Sequence, residues 1–386
     1  MEAQTEQHQR RGGSAAQRLA VAALAGALAL PLGAAAQLST SLDSSSLLEP
    51  IAPILPAPGA CSRMLRASVV ALDQPVMFNR LGAQNVNWMM YALRRDVVTS
   101  QKAVTGTGQV VGIETPLNRV KDGAAAGSGL AGLEGRVMLR PDKRPRPLVL
   151  RVAEGECLQV TFTNLLAPNP NPNNAGVGNG TGQPFKLQIN NQVADRLAGF
   201  HPQGMDLVGG IASDSSFVGR NPNSLVKPGQ SATYTFRAVE EGAFLVNSYG
   251  AQFGGEASAG NQGVGLFGLV NVEPAGARVY RSEVTEEELR MATLHTGASG
   301  HPVIDYEAVY PGVAPFTIEG TAGLPILNMV TPGGEIVHSD VNAIIAGPNK
   351  DGSFPARTYP LESQGLRNPT VPTRLEPFRE FSSVFH

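Results

Sequence analysis

Residues 147–164, PLVLRVAEGECLQVTFTN, contain two short apolar runs that are separated by a turn sequence around Gly155. After the turn, apolar and polar residues alternate strictly, with Leu158, Val160 and Phe162 on one face. Such alternation is typical of an antiparallel strand with one face buried and the other solvated. This stretch therefore predicts two consecutive β-strands.

Further short runs with the same character follow along the chain. They lie at residues 185–189, 231–237, 243–246 and 263–273. Many short strands that are bounded by Gly and Pro turns predict a β-sandwich. One exception follows the last run, where Thr285 and Glu288 have the spacing of a capping box and predict one short helix to about residue 292.

The composition supports a loop-rich β protein and excludes some binding partners. Charged residues make up 16% of the 386 residues, and 30 basic against 32 acidic side chains leave a net charge of −2. This balance gives no electrostatic support for binding to nucleic acid. The 44 glycines and 29 prolines favour frequent turns over long helices.

The N-terminus has the organisation of a secretory signal peptide. Arg10, Arg11 and Arg18 precede an apolar run at residues 19–32, and small residues up to Ala36 complete a cleavage site. The run is short for a membrane span, so we expect no transmembrane anchor, an uncleaved anchor being the alternative. We predict that the mature protein is exported to the periplasm, the cell surface or the medium.

The chain has two cysteines, Cys61 and Cys157. In an oxidising compartment, such a pair predicts one structural disulfide. Two free thiols are the alternative. A metal–thiolate centre is disfavoured because no histidine lies near Cys157 in the sequence.

Five elements in a fixed order resemble the first cupredoxin domain of multicopper oxidases. They are residues 148–164, HPQG from His201, VKPGQSATYTF at 226–236, EGAF at 241–244 and GLFGLVNVEP at 265–274. The resemblance covers residues 136–275 and implies an all-β, cupredoxin-like Greek-key β-sandwich. Residues 302–310 resemble the interdomain segment of large bacterial members, which include proteins associated with manganese(II) oxidation.

These patterns together predict the domain organisation. We expect a signal peptide at 1–36, an irregular N-terminal extension at 37–135, the cupredoxin-like domain at 136–275, an interdomain segment with one short helix at 276–375 and the start of a further cupredoxin-like domain at 376–386. The last stretch has strand-like alternation after Pro377 and predicts that the polypeptide continues. The alternative is an edge strand that folds back onto the first sandwich.

The family implies two H-x-H pairs in this domain, which help to hold a trinuclear copper cluster because imidazole suits copper. Here the first pair reads HPQ from His201, and the second reads NSY from Asn247. His201 is therefore the one candidate copper ligand at these positions, because an amide is a weak ligand and a phenol must first lose its proton. The His-Cys-His motif of a blue-copper site is absent from the sequence. We expect no stoichiometric copper in this segment.

The remaining histidines do not form a convincing metal site. Residues 335–340, EIVHSD, place His338 between two acidic residues, but we interpret this stretch as a surface turn. His295 and His301 flank a polar loop and are expected to be solvated.

The resemblance leaves two functions open. The first is the N-terminal portion of an exported multicopper oxidase, which oxidises Mn(II) or an organic reductant and reduces dioxygen to water. Its copper ligands would lie mainly in downstream cupredoxin domains of the same polypeptide, which would be its partners. The second is a copper-free exported β-sandwich with a structural or binding role.

Overall fold

The computed structural model describes residues 61–86, 88–168, 196–250, 261–312, 321–355 and 376–385. The predicted signal peptide and the predicted strand at 185–189 lie outside these residues. Among the described residues, no helix combines the length and the apolar character that crossing a bilayer requires.

The described chain is almost entirely β. Its strands are β1 Met64–Asp73, β2 Val76–Met77, β3 Gln84–Asn85, β4 Met89–Leu93, β5 Val97–Thr99, β6 Ala103–Val104, β7 Val110–Val111, β8 Val137–Leu139, β9 Leu148–Ala153, β10 Cys157–Asn164, β11 His201–Pro202, β12 Asp206–Leu207, β13 Ser231–Arg237, β14 Gly242–Asn247, β15 Phe267–Glu273, β16 Arg278–Arg281, β17 Thr293–Thr296, β18 Pro302–Ile304, β19 Asn342–Ala346 and β20 Phe378–Phe381. The helix α1 spans Glu286–Met291. It begins at the predicted capping box, in which the Glu288 amide donates to the Thr285 hydroxyl at 3.2 Å.

Two sheets form the sandwich. The five-stranded sheet has the order β12-β13-β10-β1-β4, and the four-stranded sheet has the order β11-β14-β15-β9. Each contains one parallel pair, β1 with β10 and β9 with β15, whereas the other neighbours are antiparallel. A parallel pair cannot be closed by a hairpin, so segments distant in sequence complete each sheet. The predicted all-β sandwich is confirmed.

The predicted inward face of β10 forms the centre of the core. Phe162 is fully buried, and its ring centroid lies 6.0 Å from that of Tyr91 and 6.2 Å from that of Tyr234. Phe200 packs edge-on against Tyr91 at 5.6 Å. This aromatic cluster joins the two sheets and fixes the position of β11, which follows Phe200 directly.

The prediction of an irregular extension at 37–135 is wrong from Met64 onward, because β1 lies inside the five-stranded sheet and β4 lies at its edge. Both faces of β1 are covered from Val69 to Leu72, whereas Arg66 is exposed. Val69 packs in the sandwich core, whereas Val70 and Leu72 pack into a second apolar cluster built by residues 97–139. The short apolar run at residues 69–72 has no apolar–polar alternation, and such a run cannot be assigned to a strand by its pattern alone, which explains the error.

Cys61 and Cys157 are joined by a disulfide, as predicted, with their Cα atoms 5.4 Å apart. The bond lies where β1 and β10 begin side by side, since Met64 is the register partner of Cys157. The disulfide therefore connects the start of β1, which the sequence did not predict, to the start of β10, which the sequence did predict.

The C-terminal strand β20 pairs antiparallel with β19 in a three-stranded sheet of order β16-β19-β20. Phe378 packs against Phe354, with ring centroids 6.1 Å apart. The stretch is therefore an edge strand, but it pairs in the β16-β19-β20 sheet and not in either sheet of the sandwich. A further domain beyond it stays a prediction.

Candidate functional site

The two sequence motifs at the expected copper-ligand positions meet in the structure. β11 pairs with β14, so that His201 lies directly opposite Asn247. The Gln203 side-chain amide donates to Asn247 Oδ1 at 3.0 Å, and the ring centroid of Tyr249 lies 4.7 Å from that of His201. The four residues at the motif positions therefore form one cluster at the end of the four-stranded sheet.

Gly204, the glycine of the first motif, is required by its backbone conformation and by its closeness to Phe244. Gly204 has a φ of +94°, and a Cβ at this position would lie 2.8 Å from the Phe244 ring. A residue with a side chain would be strained by the backbone angle and would clash with that ring. This close approach returns the chain onto β14 and presents His201 and Gln203 to it.

His201 is held by one neighbouring loop. Its Nδ1 atom lies 2.7 Å from the Asp214 carbonyl oxygen and 3.3 Å from the Asp214 carboxylate. Because a carbonyl oxygen can only accept, this contact assigns the proton to Nδ1 and leaves Nε2 as the basic nitrogen. Metal-binding histidines are oriented in the same way by their outer neighbours, so His201 alone keeps the geometry of a ligand.

The neighbours of His201 do not complete a copper site. Asn247 is buried and its amide oxygen already accepts from Gln203, whereas Tyr249 offers a phenol that is 43% exposed. Across the described residues, no group of three or more His, Cys, Asp or Glu side chains could hold a metal ion. One imidazole with an amide and a phenol does not fit the copper cluster that the family resemblance implies.

The loop that carries Asp214 also presents apolar side chains to solvent. Ile211, Phe217 and Val218 are 41%, 60% and 63% exposed. Large exposed apolar side chains that cluster on one loop mark surfaces suited to contact with another molecule or domain. The site is therefore a polar cluster beside an apolar loop.

The interpretation of residues 335–340 as a surface turn is wrong. His338 is buried, and its Nε2 lies 2.8 Å from the Pro325 carbonyl oxygen. Burial, with the positive charge of Arg281, lowers the pKa of His338 to about 3. The apolar neighbours Ile336 and Val337 were the available signal. His295 and His301 are exposed, as predicted.

A charged cluster that sequence reasoning missed lies beside His338. Arg281 donates to Glu288 Oε1 and to Asp340 Oδ2, each at 2.8 Å, and the Tyr310 hydroxyl bonds to Glu288. Burial would raise the pKa of Asp340, but the charges of Arg281 and Arg146 outweigh it and lower that pKa to about 2. Burial is likewise outweighed by Arg281 at Glu288, whose pKa is also lowered to about 2. Both carboxylates are therefore ionised at neutral pH.

A second buried guanidinium attaches the C-terminal residues to the sandwich. The Arg151 side chain, on β9, is 2% exposed and lies 3.6 Å from Glu273 and 2.7 Å from Glu380. It also donates to the carbonyl oxygens of Asp340 and Val341 at 2.6 and 2.8 Å. Arg151 thus connects three segments that are far apart in sequence.

Comparison with known proteins gives matches among solved structures alone. No protein-family model matches this chain, and no curated protein matches it. A multi-copper oxidase from Pseudomonas thermotolerans is similar at 18% identity and a TM-score of 0.26, over 55% of this chain and 30% of that chain. A copper nitrite reductase from Nitrosomonas europaea is similar at 13% identity and a TM-score of 0.27, over 55% of this chain and 42% of that chain. This chain therefore spans less than half the length of either protein.

Proposed function

We propose that this chain is the N-terminal portion of an exported multicopper oxidase, in which its sandwich acts as a copper-free domain. The observation that carries the proposal is the meeting of the two motifs across β11 and β14. The cluster lies where the family resemblance implies two H-x-H pairs, yet His201 is its one imidazole. The predicted signal peptide and the disulfide between Cys61 and Cys157 support export.

In this proposal, the oxidation of Mn(II) or of an organic reductant takes place on copper held by downstream cupredoxin domains. The residues of the present chain carry no redox step. Their part is structural, because Asp214 fixes His201 and Gln203 fixes Asn247, so that β11 and β14 stay paired at the end of the sheet.

A second candidate function is a copper-free sandwich that binds another protein. The exposed side chains of Phe217 and Val218, on the loop beside His201, favour this candidate. It requires no downstream copper domains, and it predicts a stable complex of the mature chain with a separate partner.

Copper binding by the mature chain, residues 37–386, tests the copper-free assignment. The protein is incubated with excess Cu(II), dialysed against a chelator and analysed for copper by mass spectrometry and by visible absorption. We expect less than one retained copper per chain, no thiolate–copper absorption and no difference in the His201→Ala variant. One chelator-resistant copper per chain that is lost in His201→Ala would contradict the assignment.

A gain-of-ligand variant provides the matched control. Gln203→His, Asn247→His and Tyr249→His together restore both H-x-H pairs beside His201. We expect this triple variant to retain more copper than the wild type, because imidazole replaces the amide and phenol donors. The oxidase part is tested separately by expressing the longer reading frame and measuring copper-dependent oxygen consumption. Its absence would favour the second candidate.

A further inference from the structure

The hairpin of β2 and β3, which lies between β1 and β4 in the chain, projects into solvent. Residues 77–84 are all exposed. The turn is stabilised locally, because the Asn79 side-chain oxygen accepts hydrogen bonds from the backbone amides of Leu81 and Ala83 at 2.9 and 3.2 Å. Such an Asx turn fixes the backbone without help from neighbouring elements. The end of the hairpin is therefore a surface of its own and not one face of a packed layer.

Three large apolar side chains lie on this hairpin. Met77, Phe78 and Leu81 are 65%, 60% and 94% exposed. The Phe78 amide donates to the Ala83 carbonyl oxygen at 2.7 Å, which continues the β2–β3 ladder by one residue. Because successive side chains of a strand point to opposite faces, Met77 and Phe78 lie on different sides of the hairpin, and Leu81 lies in the turn. Exposed apolar groups that cluster in this way mark contacts with proteins or membranes.

The hairpin of β6 and β7 has an apolar surface on one side only. Val104 and Val110 are register partners and are both exposed, whereas Val111, on the opposite face, is buried. A flat protein surface covers one such face. The β2–β3 hairpin has apolar groups on both faces and at its end, so it needs surroundings that reach it from all sides. The interfacial layer of a lipid bilayer meets this requirement, because it is fluid and deforms around an inserted element.

The charge of the β2–β3 hairpin also favours lipid. Arg80 is the one charged residue between Asp73 and Arg94 in the sequence, and it is exposed. The nearest carboxylate along the chain, that of Asp73, is 5% exposed and lies 2.6 Å from Arg196. The hairpin is therefore locally positive, although the whole chain has a net charge of −2. Basic residues near a bilayer are attracted to anionic headgroups.

We propose that the β2–β3 hairpin attaches the protein to the surface of a bilayer that contains anionic phospholipid. Met77, Phe78 and Leu81 enter the boundary between headgroups and acyl chains, and the Arg80 guanidinium pairs with lipid phosphates. The attachment is reversible, because its strength grows with the buried apolar area and with the number of cations, and both are small here. The hairpin lies in the interface without crossing the bilayer, and its contact requires no copper.

The single tryptophan of the chain provides a spectroscopic readout. Trp88 follows the hairpin and is half-buried, and its ring lies edge-on to that of Phe78, with the centroids 6.0 Å apart. Insertion of the hairpin brings this indole to the level of the headgroups, where tryptophan is favoured. Its emission should therefore shift to shorter wavelength when vesicles bind, and brominated phospholipid should quench it.

Co-sedimentation of the mature chain, residues 37–386, with sucrose-loaded vesicles tests the proposal. Vesicles of equal parts phosphatidylglycerol and phosphatidylcholine are compared with vesicles of phosphatidylcholine alone, at constant ionic strength. We expect binding to the mixed vesicles and weaker binding to the neutral ones. Arg80→Gln should lower the partition coefficient on mixed vesicles about fivefold and leave that on neutral vesicles unchanged.

A double variant, Met77→Ser with Leu81→Ser, removes apolar area from the hairpin and keeps its charge. We expect it to bind mixed vesicles at least about tenfold more weakly and to lose the quenching of Trp88. The matched control is Val104→Ser with Val110→Ser, which removes two exposed apolar side chains from the β6–β7 hairpin and should bind like the wild type. If the first double variant does not fold, as judged by circular dichroism, Leu81→Ser alone carries the test.

Four results would overturn the proposal. The first is the absence of wild-type binding to mixed vesicles. The second is unchanged binding by the folded β2–β3 variant, or an equal loss in the β6–β7 control. The third is equal binding to both kinds of vesicle, which would reject the role of anionic lipid. The fourth is a dimer in sedimentation velocity that Leu81→Ser abolishes, without any vesicle binding, which would assign the hairpin to a second copy of this chain.

Discussion

The sandwich and the segment that flanks it are stabilised by different kinds of contact. The sandwich is centred on fully buried aromatic rings, among them Phe162, Phe200 and Tyr234. The flanking segment, which we define as the described residues from 278 to 385, has smaller apolar clusters. It is attached to the sandwich through the buried guanidinium of Arg151, and its own parts are joined through that of Arg281.

This difference predicts how the stability of each region responds to pH and to charge substitutions. Apolar packing is non-directional and does not depend on protonation, so the sandwich should keep its stability over a wide pH range. Buried ion pairs depend on geometry and on the charge of both partners, and removal of one partner leaves the other uncompensated. The flanking segment should therefore respond to acid and to single charge changes.

The largest effect should follow from a cavity in the sandwich. Phe162→Ala removes a fully buried ring from the contact between Tyr91 and Tyr234. We expect it to lower the free energy of unfolding by about 4 kcal/mol in urea, equally at neutral and at mildly acidic pH.

The matched control is Phe381→Ala, because Phe381 is 68% exposed on β20. Its effect should stay within about 0.5 kcal/mol of the wild type. A strong pH dependence of the Phe162→Ala effect would break the proposed distinction between the two regions.

A smaller loss should follow from removal of the guanidinium of Arg151. Arg151→Met leaves Glu273 and Glu380 without their buried cation, and we expect a loss of about 3 kcal/mol. Hydrogen exchange should report the change first in β19 and β20. Arg379→Met, on the exposed face of β20, is the control and should change stability by less than about 0.5 kcal/mol.

A compensated variant sharpens this test. Replacement of Glu273 and Glu380 by Gln in the Arg151→Met background removes the two orphaned charges. Part of the stability should return, because the cost lies in the unpaired carboxylates more than in the lost attraction. No recovery would mean that Arg151 acts mainly through its bonds to the Asp340 and Val341 carbonyl oxygens.

The smallest effect should be a pH dependence that originates at His338. Its pKa is about 3 in the folded protein against an ordinary value of 6.5, so the unfolded chain binds the additional proton. The stability that the neutral His338 contributes to the fold is fully present above about pH 6.5 and is lost as the pH falls toward 3. Between about pH 7 and pH 5, we expect the wild type to lose about 1–2 kcal/mol more than His338→Gln.

The carboxylates extend this acid sensitivity to lower pH. The depressed pKa values of Glu288 and Asp340 stabilise the fold above their ordinary values of 4.5 and 3.8, and this stability disappears as the pH falls toward about 2. His295→Gln, at an exposed position, is the control for the His338 variant and should follow the wild-type curve. An identical curve for His338→Gln would refute the assignment.

The strands that could be predicted carry one of two signals, which are apolar–polar alternation, as in β10, or an apolar run next to a recognisable turn, as in the fully buried β9 and β15. Leu158, Val160 and Phe162 alternate with polar residues, and turns with Gly and Pro limit the runs on either side. β1 escaped prediction because its apolar run at residues 69–72 is short and no family motif marks it. Its apolar run therefore resembles many buried segments of undefined structure.

The contacts between functional side chains can also be separated into those that the sequence predicts and those that it does not. His201 and Asn247 could be paired from the sequence because a family motif marks both positions. Arg281 and Asp340 could not, since 59 residues separate them and no motif links the two positions. The same holds for Arg151 and Glu380, at a separation of 229 residues. Contacts between charged residues over such separations leave no local periodicity in the sequence.

The two parallel strand pairs also determine when the protein can fold during synthesis. β1 leaves the ribosome long before β10, its parallel neighbour, and β9 must wait in the same way for β15. The five-stranded sheet cannot close until β13 has been made, at residue 237, and the four-stranded sheet cannot close until β15 has been made, at residue 273. Such non-local pairing slows folding and leaves apolar segments such as Met89–Leu93 uncovered in the meantime. The nascent chain must therefore avoid aggregation until both sheets are complete, and this requirement follows from the strand order.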